Sequence, residues 1–143
     1  LHSVAPTVSL DALLNQLDAF GLREHAHAWV HQLSGGERQR LTWAMAAVRV
    51  TDATRLWLLD EPFSAQDIAW QRRLLQYLRE LNRAVVATVH DLNQVRAFAT
   101  HVLLLANGAV LAQGAARDVM RSELLSRAFG VDLQVDDAGW VSV

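Results

Sequence analysis

Apolar residues recur at helical spacing in several separate stretches of the chain. From Leu10 they repeat every three or four residues, Ser9 precedes them as a candidate cap, and Gly21 follows where a helix would stop. The same spacing predicts further helices starting on the glycines at 35–36 and over residues 68–81, 92–99 and 119–129. Ser122 is a candidate cap within the last of these helices. Residues 1–8 show no period, and we expect them to form a connector.

Two continuous apolar runs predict buried strands that each end on a polar residue. Residues 56–59 lead into Asp60, and residues 84–89 lead into His90. Because a predicted helix lies between them, the order is strand, helix, strand, which is typical of α/β folds with a parallel sheet. Asn107-Gly108 between two further short runs predicts a hairpin. A weaker strand pair, at 133–135 and 140–143, closes the chain.

The composition is that of an ordinary globular domain. The chain has 143 residues, of which 52% are hydrophobic and 20% charged, so we expect one compact unit. A net charge of -2 argues against a nucleic-acid partner, which would need clustered basic residues. The sequence has no cysteine, which suits a cytoplasmic protein. Since it starts at Leu1 rather than at methionine, we expect a processed chain or part of a longer reading frame.

The stretch around Ser34-Gly35-Gly36 carries the most specific signal. Two glycines after a serine leave backbone N–H groups open at a helix start, where phosphate binds well, although a plain glycine-rich cap explains these three residues equally well. The whole octapeptide 33–40 resembles the signature of the ABC ATPase superfamily. The resemblance implies that Ser34, Gly35, Gly36 and the adjoining Glu37 serve nucleotide binding, reaching across a dimer to the γ-phosphate of ATP held by the other subunit.

Two carboxylates, Asp60 and Glu61, follow the first predicted strand and precede Pro62. Magnesium bound to phosphates prefers oxygen ligands, often through water, and hydrolysis needs a second carboxylate to orient or deprotonate the attacking water. Two acidic residues at a strand end are common, but this segment resembles the Walker B segment of the same superfamily. The resemblance assigns Asp60 to magnesium through water and Glu61 to catalysis.

Residues 64–67 resemble the superfamily's D-loop, which usually reads Ser-Ala-Leu-Asp and runs along the dimer interface. Gln66 departs from that pattern, which puts the interface packing in doubt more than the chemistry. Asp67 is assigned to the nucleotide site through this resemblance, and it could equally cap the following helix. Both interpretations are compatible.

Residues 88–91 resemble the switch segment, in which a histidine after a strand contacts the γ-phosphate and keeps the catalytic carboxylate and water in place. His90 is therefore the second candidate catalytic residue. Single histidines are mostly structural or exposed, and we expect that of the others, His2, His25, His27, His31 and His101. We expect the tryptophans to pack in a core or an interface rather than to stack on adenine.

Taken together, these motifs imply an α/β fold: part of an ABC-type P-loop NTPase domain with a mostly parallel sheet core and a C-terminal hairpin. A helical subdomain with the signature would span about 9–50, and the Walker B, D-loop and switch core about 51–143. The chain looks most like the ATP-binding subunits of vitamin B12, iron-siderophore and haem importers, with the vitamin B12 protein as first choice. That resemblance implies ATP and Mg²⁺, a homodimer, a membrane permease, an indirect periplasmic binding protein, and the cytoplasmic face of a bacterial inner membrane.

A phosphate-binding loop of the form G-x-x-x-x-G-K-[ST] is missing from the sequence, which offers no lysine for one. Because that loop supplies most of the ground-state contact with the nucleotide, we expect these residues alone to bind ATP poorly and not to hydrolyse it. One alternative is a non-hydrolysing ABC-like interaction domain or truncated remnant. Another is a soluble ABC ATPase of DNA repair or translation, which would be expected to carry a coiled-coil insertion or basic linker.

Overall fold

The computed structural model describes residues 8–143, and the connector predicted before them and His2 lie outside the described residues. Its helices are α1 Leu10–Ala19, α2 Gly35–Ala47, α3 Ile68–Glu80, α4 Leu92–Phe98, α5 Ala116–Val119 and α6 Ser122–Phe129. Its strands are β1 Leu56–Asp60, β2 Ala84–Thr88, β3 His101–Ala106, β4 Ala109–Ala115, β5 Gln134–Val135 and β6 Val141–Ser142. Two short 3-10 turns, Arg23–His25 and Val30–Gln32, were not predicted.

The predicted start and end of α1 are confirmed. Ser9 caps the helix, because its hydroxyl accepts a hydrogen bond of 3.2 Å from the N–H of Ala12. Gly21 follows the helix with a φ of +64°. A Cβ at this position would lie 2.7 Å from the ring of Trp70, so both the backbone angle and the close approach require glycine.

Each strand pairs with one neighbour in the described part of the chain. β1 and β2 run in parallel: the Ala84 N–H donates to the Arg55 carbonyl where the two strands begin, and the Thr88 hydroxyl donates to Asp60 where they end. β3 and β4 form the predicted antiparallel hairpin, and β5 and β6 form a second one. Between β3 and β4, Asn107 and Gly108 have φ angles of 50° and 74°, as a tight hairpin turn requires.

The chain divides into two compact units rather than the single unit expected from its size and composition. The first unit comprises Leu1–Leu58 and Phe63–Val86. Its core contains an aromatic cluster formed by Phe20, Trp43 and Trp57 around Tyr77, with ring centroids 5.5 to 6.4 Å apart. Burial in this cluster raises the pKa of the Tyr77 phenol above its usual value.

The second unit comprises Leu59–Pro62 and Ala87–Val143. Its core is a cluster of buried apolar side chains from β3, the helices after β4 and the segment before β5, namely Leu104, Val119, Met120, Leu125 and Leu133. Among residues 8–143, no helix has both the length and the apolar character needed to cross a bilayer.

The single helix predicted over residues 119–129 is wrong in one respect, because the structure has two helices that are broken at Met120 and Arg121. In a continuous helix the side chains of Met120 and Leu125 would point about 140° apart. Both are buried in the same core, and the break allows this. Ser122 is not a cap either, since its hydroxyl accepts a hydrogen bond of 2.8 Å from the N–H of Val135.

Candidate functional site

The polar residues at the ends of β1 and β2 lie together in the second unit. The Thr88 hydroxyl donates a hydrogen bond of 2.6 Å to the Asp60 carboxylate and accepts one of 2.9 Å from the Glu61 N–H. One hydroxyl therefore fixes the Asp60 side chain and the backbone that leads into Glu61. Thr88 lies in the segment 88–91 and was not among the predicted site residues, although its place at a strand end before His90 is a signal that could have found it.

The two candidate catalytic residues are in direct contact. Nε2 of His90 lies 2.6 Å from Oε1 of Glu61, so the imidazole holds the carboxylate from the neighbouring strand end. The Glu61 side chain is 44% exposed and that of His90 is 80% exposed, so the pair is accessible to water and to a phosphate group. The arrangement can orient a water molecule and accept a proton from it.

Glu61 has a φ of +46°, which lies in the left-handed region that non-glycine residues rarely adopt. This backbone angle turns the chain directly after the strand. Such angles cluster at functional sites, where the surrounding structure holds them in place. Here the Thr88 hydroxyl supplies part of that restraint by binding the N–H of Glu61.

The signature segment opens α2 in the first unit. The Ser34 hydroxyl accepts from the Glu37 N–H at 3.2 Å, and the Glu37 carboxylate accepts from the Ser34 N–H at 2.7 Å. This reciprocal capping box places the amides of Gly35 and Gly36 in the first turn of the helix, where the helix dipole favours an anion. A Cβ on Gly35 would meet nothing within 4 Å, so access to this turn is open.

The Glu37 carboxyl has a pKa below its usual value. The main cause is the hydrogen bond from the Ser34 backbone, followed by the Ser34 hydroxyl, and the nearby His25 acts in the same direction. Nε2 of His25 lies 3.4 Å from Oε1 of Glu37, which agrees with the structural role expected of that histidine. Because folding lowers the pKa of Glu37, its ionised carboxylate stabilises the folded state at pH values above the usual pKa of a glutamate. This stabilisation is lost as the pH falls through the lowered pKa.

Gln66 binds the signature helix directly. Its Nε2 donates a hydrogen bond of 3.0 Å to the Gly36 carbonyl, and a Cβ on Gly36 would lie 3.0 Å from the Ala65 carbonyl oxygen. The residue that departs from the D-loop pattern therefore joins the D-loop to the signature turn within one chain. The sequence could not reveal this contact, because the two residues are far apart along the chain. Asp67 caps α3, since its Oδ1 accepts from the Trp70 N–H at 2.8 Å.

The acidic groups fit a metal ion that is held mainly by phosphates. In residues 8–143, no group of three or more His, Cys, Asp or Glu side chains could hold a metal. Magnesium usually keeps several waters and binds one or two carboxylates together with substrate phosphates. The Asp60 carboxylate, fixed by Thr88, is a donor of this kind.

Known proteins resemble this chain in sequence and in fold. No protein-family profile matches the chain. It is 37% identical over 131 residues to the ferric enterobactin transport ATP-binding protein FepC of Escherichia coli. The aligned region covers 89% of this chain and 47% of FepC. It is 43% identical over 120 residues to the vitamin B12 import ATP-binding protein BtuD of Pectobacterium atrosepticum, which covers 77% and 48%. Hemin import ATP-binding proteins are also among the relatives.

A solved structure of a metal-chelate type ABC transporter, in an inward-facing conformation, matches with a TM-score of 0.73 at 34% identity and covers 87% of this chain and 49% of that one. The chain spans about half the length of the curated relatives it matches. Fold and site thus define part of an ABC-type ATPase domain. More closely, the chain is a homologue of the ATP-binding subunits of ABC transporters, among them those of siderophore, haem and vitamin B12 import.

Proposed function

We propose that the complete protein is the ATP-hydrolysing subunit of an ABC importer for vitamin B12 or a related iron-siderophore or haem cargo. The observation that carries the proposal is the group formed by Asp60, Glu61, Thr88 and His90 at two adjacent strand ends. It is supported by relatives whose names describe them as import ATP-binding proteins.

In this proposal Glu61 orients the attacking water and accepts its proton. His90 holds Glu61 through the contact of 2.6 Å and faces the γ-phosphate with its exposed ring. Asp60 binds magnesium through water, and the metal, when bound, supplies positive charge against the phosphates. Most of the rate enhancement then comes from positioning and charge stabilisation.

The first turn of α2 supplies the contact with the partner subunit. Ser34, Gly35 and Gly36 of one copy approach the γ-phosphate of an ATP bound to the other copy, with Glu37 holding the turn and Asp67 lying in the D-loop along the interface. The capping box supports this role because it fixes a helix N-terminus that favours anions. In this proposal the complete protein is a homodimer on the cytoplasmic face of the bacterial inner membrane, as the resemblance to import ATP-binding proteins implies. It drives a permease that receives its cargo from a periplasmic binding protein.

The proposal requires a phosphate-binding loop, which these 143 residues do not contain. Leu56 and Leu58 on β1 are 48% and 73% exposed, whereas Trp57 between them is 6% exposed. A strand that is apolar on both faces is typical of a sheet that is buried on both faces. We therefore expect another part of the complete protein to pack against the exposed face that carries Leu56 and Leu58. The 143-residue chain alone is then expected to be inactive.

The complete protein, expressed from its full reading frame, should hydrolyse ATP and co-purify with a membrane permease. The isolated 143-residue chain, assayed by phosphate release in the same buffer with magnesium, should show no turnover above background. Saturable, magnesium-dependent turnover by the isolated chain would reject the need for an additional phosphate-binding segment. A complete protein without ATP turnover would reject the hydrolase and favour an interaction domain.

Ser34→Ala should lower the stability of the complete protein by about 1 kcal/mol, because it removes the cap of α2. Ser9→Ala is the matched control, since Ser9 caps α1 through the same kind of hydrogen bond but lies outside the signature. We expect both variants to lose similar stability in thermal denaturation and only Ser34→Ala to weaken ATP-dependent dimerisation, measured by size-exclusion chromatography. Equal dimerisation by the two variants would contradict a role of Ser34 at the nucleotide.

A further inference from the structure

The helix that follows the switch histidine is short. α4 has seven residues and begins two positions after His90, with Asp91 as its cap. The Asp91 carboxylate accepts a hydrogen bond of 2.9 Å from the Asn93 N–H. A helix of this length has little stability of its own, so its orientation depends on what its side chains bind.

Asn93 binds both backbone groups of one residue in the C-terminal strand β6. Its Oδ1 accepts from the Val141 N–H at 2.9 Å, and its Nδ2 donates to the Val141 carbonyl at 3.2 Å. The amide therefore pairs with β6 as the backbone of a neighbouring strand would. Asn93 thus ties the first turn of α4 to the terminal hairpin, while Leu92 and Val95 pack the helix against the core of the second unit.

Arg96 makes a second contact on the same helix face, one turn further along. Its Nε donates to the Ala138 carbonyl at 2.5 Å, and its guanidinium carbon lies 4.6 Å from the centre of the Trp140 ring. Gly139 permits this approach, because its φ is +82° and a Cβ there would lie 3.0 Å from the Arg96 Nε.

The hairpin is itself fixed to the core of the second unit. The Val135 N–H donates to the Ser122 hydroxyl and the Leu133 N–H donates to the Ser126 hydroxyl, each at 2.8 Å. Both serines belong to α6, whose Leu125 is fully buried. The contacts of Asn93 and Arg96 therefore connect α4 to a firmly held element.

We propose that the terminal hairpin of residues 134–142 positions the switch histidine. Through Asn93 and Arg96 it fixes the direction of α4, and the start of α4 fixes where His90 meets Glu61. Asn93 is a positioning residue, since it acts through His90. This inference rests on the proposed function, because it concerns the geometry of the same hydrolytic site.

The test compares Asn93→Ala with Gln94→Ala in the complete protein. The Gln94 side chain forms no hydrogen bond within residues 8–143, so Gln94→Ala removes a similar amide without touching the hairpin. We expect Asn93→Ala to lower kcat for ATP about tenfold while KM stays within about twofold, because positioning of His90 matters for the chemical step. We expect Gln94→Ala to match the wild type.

A double variant separates positioning from general destabilisation. If Asn93 acts through His90, then single-turnover hydrolysis by Asn93→Ala with His90→Ala should be no slower than that by His90→Ala alone. Arg96→Met, which keeps the aliphatic stem but loses the Nε–H and the charge, provides the same comparison should Asn93→Ala fail to fold.

Two results would overturn the role of the hairpin: kcat of Asn93→Ala equal to that of Gln94→Ala, or a further tenfold loss when Asn93→Ala is added to His90→Ala. If the wild-type protein shows no ATP hydrolysis that Glu61→Gln abolishes, the proposed function is overturned, and the role of the hairpin with it. The wild-type measurement thus distinguishes the two failures.

Discussion

Glu61→Gln in the complete protein should reduce kcat for ATP hydrolysis by roughly 100-fold or more, because the residue would no longer accept a proton from water. The amide oxygen can still accept a hydrogen bond from His90, which lies 2.6 Å from the carboxylate, so the local geometry should survive. ATP-dependent dimerisation should therefore persist. Phosphate release and size-exclusion chromatography with ATP measure the two properties on the same preparation.

Glu123→Gln is the matched control, since it makes the same chemical change on an exposed first turn of α6. We expect its turnover to equal that of the wild type. Unchanged turnover in Glu61→Gln would exclude Glu61 as the base. Loss of dimerisation together with turnover would show that the carboxylate is needed for nucleotide binding rather than for the chemical step.

Asp60→Asn should lower turnover roughly 100-fold at limiting magnesium, because a neutral amide attracts the cation far less than a carboxylate does. The amide oxygen can keep the hydrogen bond from Thr88, so the change removes charge more than structure. The measurement is ATP turnover as a function of magnesium concentration. We expect the curve to shift to higher magnesium and activity to recover in part.

Thr88→Val is the informative comparison for Asp60→Asn. It removes the hydroxyl that binds Asp60 and the Glu61 N–H but leaves both carboxylates in place. We expect a smaller loss of turnover and a smaller shift along the magnesium axis. An Asp60→Asn variant with the magnesium dependence of the wild type would contradict the assignment of Asp60 to the metal.

Features that depend on neighbouring residues could be predicted from the sequence. The Asn107-Gly108 turn requires two left-handed residues in a row, and that demand is visible in the residue types themselves. The closeness of the two strand ends, where Thr88 binds Asp60 and His90 binds Glu61, was also predictable, because parallel strands end at the same sheet edge. Both features follow from local pattern and general topology.

Features that depend on tertiary packing could not be predicted in this way. The break at Met120 follows from a core that must bury side chains from two sides of one helix. The pairing of Asn93 with Val141 joins residues 48 positions apart, and no local pattern marks it. The inward hydrogen bond of Gln66 to Gly36 is of the same kind, and the residue type alone suggested only a change at the interface.

At position 61 the left-handed backbone of a glutamate lowers the stability of the folded state, whereas the proposed activity needs the glutamate's carboxylate. A non-glycine residue with a φ of +46° costs on the order of 1 to 2 kcal/mol, which glycine would not incur. A change to glycine would thus favour the folded state while deleting the carboxylate. Selection for thermal stability alone would therefore favour glycine at position 61, at the expense of the carboxylate that the proposed reaction needs.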